Sequence, residues 1–210
     1  MSLRSTALAL AAGLAALATL VATGALNGLD QWSIDHLMPG PPGYRSGPSI
    51  AEALVPLYHA SWATGLDVVA SVVTLPAQVL VSSVLASVCC VVLWRRGRRH
   101  AAFVWAGAWI LANAIEVLGK ATLTRPPLHV QGHRVPAFDS SFPSGHTLRA
   151  VLLVALVSAT WPYTRRWLVL WAAATLVLLE LDGFHVPTDI EGGLLLALLA
   201  ILGVRAVERR

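Results

Sequence analysis

Charge is what this sequence has least of. Only 12% of its 210 residues are Asp, Glu, Lys or Arg, against about 25% in a soluble domain, which needs them to cover its surface. That scarcity excludes water as the main solvent of the folded chain. Cysteine is scarcer still: Cys89 and Cys90 are adjacent in an apolar run, where a bridge between them is sterically disfavoured and no metal-ligand spacing exists. They say nothing about redox compartment. What is present instead is apolar: 56% of the residues are hydrophobic, the mean hydropathy is +0.68, and the apolar residues fall into separate runs. Each run is near the length of about 20 residues that crosses a bilayer core of about 30 Å.

Those runs read as spans at residues 7–26, 73–94, 101–119, 146–161, 167–184 and 190–207. They predict an all-α polytopic transmembrane bundle of about six spans, with residues 1–210 as a single integral membrane domain. Residues 1–26 can also be read as a secretory signal with Arg4 as its basic start, but the apolar run is long for one, and an uncleaved span is preferred. The stretch 38–49, with Pro-Gly-Pro-Pro-Gly, breaks any helix, while 50–69 mixes apolar positions with Glu52, His59 and Asp67 and is expected as an interfacial helix.

The net charge of +4 does not imply a nucleic-acid partner, because the basic residues sit beside apolar runs rather than on one face. With a cytoplasmic amino terminus, the cytoplasmic segments hold ten arginines (Arg4, Arg95, Arg96, Arg98, Arg99, Arg165, Arg166, Arg205, Arg209 and Arg210) against five basic residues elsewhere (Arg45, Lys120, Arg125, Arg134 and Arg149). That asymmetry fits the positive-inside rule, and Trp94, Trp161 and Trp167 beside the arginine clusters fit interfacial anchors. The expected location is therefore the cell membrane, multi-pass, in contact with the bilayer.

Three short segments carry chemistry, and the span order puts all three on the extracytoplasmic side. Ser140-Ser141-Phe142-Pro143-Ser144-Gly145-His146 opens the fourth span with Ser caps and a Gly; free N–H groups and the positive dipole end there favour an anion, so the segment reads as a phosphate cradle. His185-Val186-Pro187-Thr188-Asp189 links the last two spans, and its carboxylate, four residues beyond the imidazole, can hold one tautomer and make the other nitrogen a better nucleophile or base. Lys120 through Arg125-Pro126 ends the third span with two cations.

These segments resemble the type 2 phosphatidic acid phosphatase superfamily, whose pattern is Lys, six residues, Arg-Pro; then Pro-Ser-Gly-His; then Ser-Arg, five residues, His, three residues, Asp. Pro143-Ser144-Gly145-His146 matches the second part in full, and His185 with Asp189 matches the end of the third. The resemblance covers roughly residues 101–205, taken as the phosphatase core. Two departures stand out: Pro127 occupies the expected arginine position seven residues after Lys120, although many members carry an additional Arg-Pro at the spacing of Arg125-Pro126, and Leu178 and Leu179 replace the Ser-Arg of the third part.

The resemblance implies a metal-independent phosphoryl transfer with no cofactor, from a lipid phosphate or polyprenyl pyrophosphate at the extracytoplasmic mouth. His185 is the implied nucleophile, Asp189 its orienting carboxylate and His146 the acid for the leaving oxygen, with Lys120, Arg125, Ser144 and Gly145 on the phosphate oxygens. Arg149, three residues after His146 on one helix face, is expected to supply the cation missing at Leu179, its bland alternative being a structural pair with Glu180 or Asp182. Glu116, one turn before Lys120, is expected to pair with it. A catalytically impaired lipid-phosphate binder is the main rival; a transporter predicts two repeated halves with broken helices, and the chain shows no such repeat. His129 and His133 beside Arg134 read as a solvated loop rather than a metal site, since no carboxylate or Cys completes a set, and His36, His59 and His100 as interfacial histidines.

Overall fold

The computed structural model describes residues 2–38, 65–130 and 132–209. The break expected within 38–49 and most of the helix expected at 50–69 lie outside the described residues. Among the described residues the chain forms eight α-helices: α1 (Leu3–Ala22), α2 (Asn27–Leu37), α3 (Gly65–Thr74), α4 (Val79–Arg95), α5 (Arg99–Thr122), α6 (Gly145–Thr160), α7 (Arg165–Leu181) and α8 (Pro187–Glu208). A short ribbon, β1 (His129–Val130) with β2 (His133–Arg134), is the one sheet among the described residues; it pairs His129 with Arg134 around Gly132, whose φ of 80° suits the tight turn. A helix stands at each of the six expected spans. By length and composition three of them, α1, α5 and α8, suffice to cross a membrane, and the bent α3–α4 pair makes a fourth when taken as one span.

Two local features explain where elements start and stop. The first span ends four residues earlier than expected, at Ala22, because Gly24 turns the chain with φ 74°; a Cβ there would lie 2.7 Å from Cγ of Pro126, so only glycine fits both the turn and the contact. Pro76 lies in a 3₁₀ turn, Leu75–Ala77, that splits the second span into α3 and α4 with a bend of 42°. Proline removes a backbone donor and kinks the axis. The carbonyls this break leaves open receive side chains from other helices: Nε1 of Trp171 donates to the carbonyl of Val73 (2.8 Å), and Nε of Arg149 to that of Ala77 (2.8 Å). Irregular backbone is tolerated at such depth only where protein satisfies it.

Helix α6 is the hub, packed against α4, α5, α7 and α8. At 16 residues it is about 24 Å long, short for a crossing but enclosed by longer neighbours. Leu148, Leu152, Leu153 and Leu156 meet Ala86, Cys89 and Leu93 of α4, Trp105, Trp109 and Ala112 of α5, and Leu196, Ala197 and Val204 of α8 in one core. The outward faces are apolar as well: Leu8, Phe103, Ile110, Leu111, Val117 and Leu170 are all exposed, as helices surrounded by lipid require. The two ends of α6 differ in charge. At its carboxyl end Arg96 and Arg98 donate to the carbonyls of Thr160 (2.6 Å) and Ala159 (2.9 Å), complementing the dipole, and Arg96, Arg99 and Arg166 lie over the rings of Trp161, Trp94 and Trp167. At the other end stands the Ser-Gly-His segment.

Candidate active site

The amino end of α6 is built by close backbone contact. Ser144 is the N-cap, its Oγ accepting from the Thr147 N–H (3.2 Å) and the Thr147 hydroxyl (3.1 Å), while its own N–H donates to the carbonyl of Asp189 (2.9 Å). That last bond ties α6 to the first turn of α8. Glycines make the approach feasible: a Cβ on Gly193 would collide with the Ser144 carbonyl, one on Gly192 with the Phe142 ring, and one on Gly119 would sit 2.8 Å from Cδ of Pro143. The Pro-Ser-Gly-His segment therefore rests on α8 on one side and the end of α5 on the other.

Gly145 faces the charged part of the site. A Cβ there would lie 2.5 Å from Oε1 of Glu116 and 2.7 Å from both terminal nitrogens of Arg149, so the space beside this α-carbon is where those groups converge. Glu116 pairs with Lys120 Nζ at 2.6 Å, the i,i+4 pair expected from the sequence, and with Arg149 at 3.6 Å. Arg149 is buried and is further held by Asn113 Oδ1 (3.3 Å) and the Ala77 carbonyl. Its side chain runs back toward the helix start, as helical side chains do. The carboxylate beside it is thus Glu116, not Glu180, whose Oε1 accepts from Ser33 (2.7 Å). Two cations and one carboxylate leave a net positive charge beside the open N–H groups of the helix start, a setting that favours an anion.

His185 stands between α7 and α8. Its Nδ1 lies 3.4 Å from Oδ2 of Asp189, and its ring centroid is 5.9 Å from that of His146. Nε2 is accordingly the nitrogen turned from the carboxylate. Burial pushes the imidazole below its ordinary pKa; Asp189 opposes this, and the positive charges of Lys120 and Arg149 add to the lowering. The ring is therefore neutral near pH 7 with a lone pair at Nε2. Leu179, where the resemblance expects arginine, is fully buried, and its carbonyl accepts from the N–H of His185 (3.1 Å).

Arg125 does not sit with the other cations. It was expected on a phosphate, yet its NH1 donates to Oδ2 of Asp30 (2.8 Å) and its NH2 to Thr188 Oγ1 (3.1 Å) and Oδ1 of Asp189, with the side chain 1% exposed. Both terminal nitrogens are thus spent on carboxylates behind His185. Asp30 also accepts from the Thr188 N–H (3.2 Å) and hydroxyl (2.7 Å). Neither Asp30 nor its helix α2 was legible in the sequence, because α2 is short and mixed in polarity; the available signal was an Asp four residues beyond the apolar run. Among the described residues no group of three His, Cys, Asp or Glu side chains is close enough to hold a metal ion.

Compared with known proteins, residues 106–210 match the PAP2 superfamily. No curated protein and no solved structure matches the chain. The matched region contains Lys120, Ser144, Gly145, His146, Arg149, His185 and Asp189 and spans half of the 210 residues. The chain belongs to the PAP2 superfamily, whose members are phosphatases acting on phosphate esters.

Proposed function

We propose that this protein is a metal-independent membrane phosphatase that removes phosphate from a lipid phosphate or polyprenyl pyrophosphate through a phosphohistidine. The observation that carries this reading is the setting of His185: Nδ1 faces Asp189 at 3.4 Å, which leaves Nε2 free of that carboxylate, and the ring lies 5.9 Å from that of His146 within reach of the Lys120 and Arg149 charges. Nε2 attacks phosphorus, the bond to the leaving oxygen breaks, and His146 gives that oxygen its proton. Water, deprotonated by His146, then attacks the phosphohistidine, releasing inorganic phosphate and restoring His185. Positive charge develops on the His185 ring as the N–P bond forms, and Asp189 stabilises it. Lys120, Arg149 and the N–H groups at Gly145 stabilise the equatorial oxygens, the main task in phosphoryl transfer. Ser144 shapes this helix start as its cap.

A lipid substrate follows from the surroundings. The site lies at one end of an apolar bundle, so a head group can reach the charges while its tails stay among lipids. The arginine-rich opposite end of α6 supports an extracytoplasmic site by the positive-inside rule. Phosphate release from purified protein across phosphatidic acid, phosphatidylglycerol phosphate and polyprenyl pyrophosphate, with and without chelator, tests the reading. Release that survives chelator, with an acid-labile, alkali-stable phosphoprotein trapped on quenching, is expected. Binding of these lipids without any release would favour a lipid-phosphate binder instead.

Arg149 supplies the guanidinium in this scheme. Arg149→Leu is expected to cut turnover at least about tenfold, corresponding to a transition-state contact of roughly 1.4 kcal/mol. Arg149→Lys should recover only part, because a point charge does not reproduce a planar fork. Normal turnover by folded Arg149→Leu protein would remove this residue from the mechanism.

A further inference from the structure

Asp30 lies ahead of the family-matched region, on a helix that no sequence motif marked, yet it touches the reacting end of the molecule. It is 1% exposed. Helix α2 is carried there by three connections to the loop after α5: the Gly24 turn against Pro126, a bond from Nδ2 of Asn27 to the Pro126 carbonyl (3.2 Å), and a reciprocal pair between Gln31 and the backbone of His129 (2.7 and 3.0 Å). This placement puts one guanidinium, Arg125, between two carboxylates, Asp30 and Asp189. Thr188, adjacent to Asp189, bonds Asp30 through both its N–H and its hydroxyl.

We infer that Asp30 is a positioning residue for the phosphatase reaction, acting through Arg125 and Thr188 to aim Asp189 at Nδ1 of His185 and to keep the cluster behind the nucleophile net negative. The inference rests on the reading of His185 as nucleophile. Two carboxylates around one guanidinium leave one negative charge uncompensated in a buried place. A single carboxylate fully neutralised by Arg125 would stabilise a cationic ring poorly, whereas this arrangement retains a negative charge for it. Burial pushes the Asp30 carboxyl up and the neighbouring Asp189 adds to this, while its Thr188 bonds and Arg125 act against that rise. This arrangement also explains why Arg125 is withdrawn from the phosphate side.

The charged and titratable groups that bear on this chain of contacts are few. Arg125 and Asp189 face Asp30; Asp189, His146, Lys120 and Arg149 face His185. Glu116 is tied to Lys120 and Arg149, and Glu180 to Ser33 of α2. Asp30→Asn keeps the shape and removes one charge. With it gone, Arg125 acts on Asp189 alone, protonated His185 is less favoured, and the acid limb of kcat/KM moves to lower pH.

The test is a kcat, KM and pH profile of Asp30→Asn, Asp30→Glu and wild-type full-length protein on a phosphatidic acid micelle substrate, with His185→Ala in parallel. Expected for Asp30→Asn are a fall in kcat of about tenfold, KM within about twofold, and an acid limb lower by roughly 0.5 pH unit, as one buried charge at moderate distance would give. Asp30→Glu should recover part of kcat and return the acid limb toward wild type. A purely structural Asp30 would lower the yield of folded protein without moving the acid limb, and that result in folded Asp30→Asn overturns the inference; where Asp30→Asn does not fold, a wild-type kcat in folded Asp30→Glu overturns it, because the longer side chain should misaim Asp189. If His185→Ala turns over normally, the nucleophile reading falls and this inference with it; if His185→Ala is inactive while Asp30→Asn matches wild type, the inference about Asp30 alone is wrong.

Discussion

Replacing His185 with alanine is expected to lower turnover by about 10⁴-fold or more, because among the described residues no other imidazole is held by a carboxylate for attack on phosphorus and the covalent route closes. The fold should survive. Among the described residues, His185 makes one side-chain polar contact, at 3.4 Å to Asp189, and Asp189 keeps Arg125 when the ring is removed. No buried charge is orphaned, so the stability loss should stay within the range of about 0.5–3 kcal/mol typical of point changes. Turnover on phosphatidic acid, read beside a thermal melt in detergent, separates the two effects. Wild-type turnover in folded His185→Ala protein would end the phosphohistidine mechanism. The variant should also yield no trapped phosphoprotein, which turnover alone does not report.

Much of this arrangement could be read from the chain before its structure. Run length in apolar residues locates the helices because bilayer thickness sets it, and the Ser-Gly-His and His-Val-Pro-Thr-Asp segments announce their chemistry within a few residues. Contacts made across the chain are another matter. Asp30 and Arg125 are separated by 95 positions and Asp30 and Thr188 by 158, and no local pattern encodes such pairing. Arg125 looked like a phosphate ligand because it follows Lys120 at a suggestive spacing, whereas its terminal nitrogens bond Asp30 and Asp189. The bend at Pro76 was written in the sequence as a single proline inside an apolar run, but its use, offering the Ala77 carbonyl to Arg149, depends on α6 lying beside it. Periodicity sees elements, and sites are made between them.

Arg125→Leu is expected to have the opposite signature to His185→Ala, destroying stability as well as activity. The guanidinium is 1% exposed and is shared by Asp30 and Asp189. Removing one partner of a buried ion pair leaves uncompensated charge, at a cost of about 3–5 kcal/mol, and here two carboxylates lose their counterion together. The loss should depend on pH. Without Arg125, nothing cationic offsets the burial that already pushes Asp30 up, so its folded-state pKa rises further above the unfolded value of about 3.9. A raised folded pKa means stability that is present at low pH and lost as pH rises, so the deficit against wild type should widen from pH 5 to pH 8. Adding Asp30→Asn to Arg125→Leu removes one of the two stranded carboxylates and should restore a measurable part of the stability, while activity stays absent because Asp189 is still unsupported. A double-mutant cycle on apparent unfolding free energy in mixed micelles measures that coupling. Additive losses, or a pH-independent deficit, would mean that Arg125 and Asp30 do not share a buried charge network.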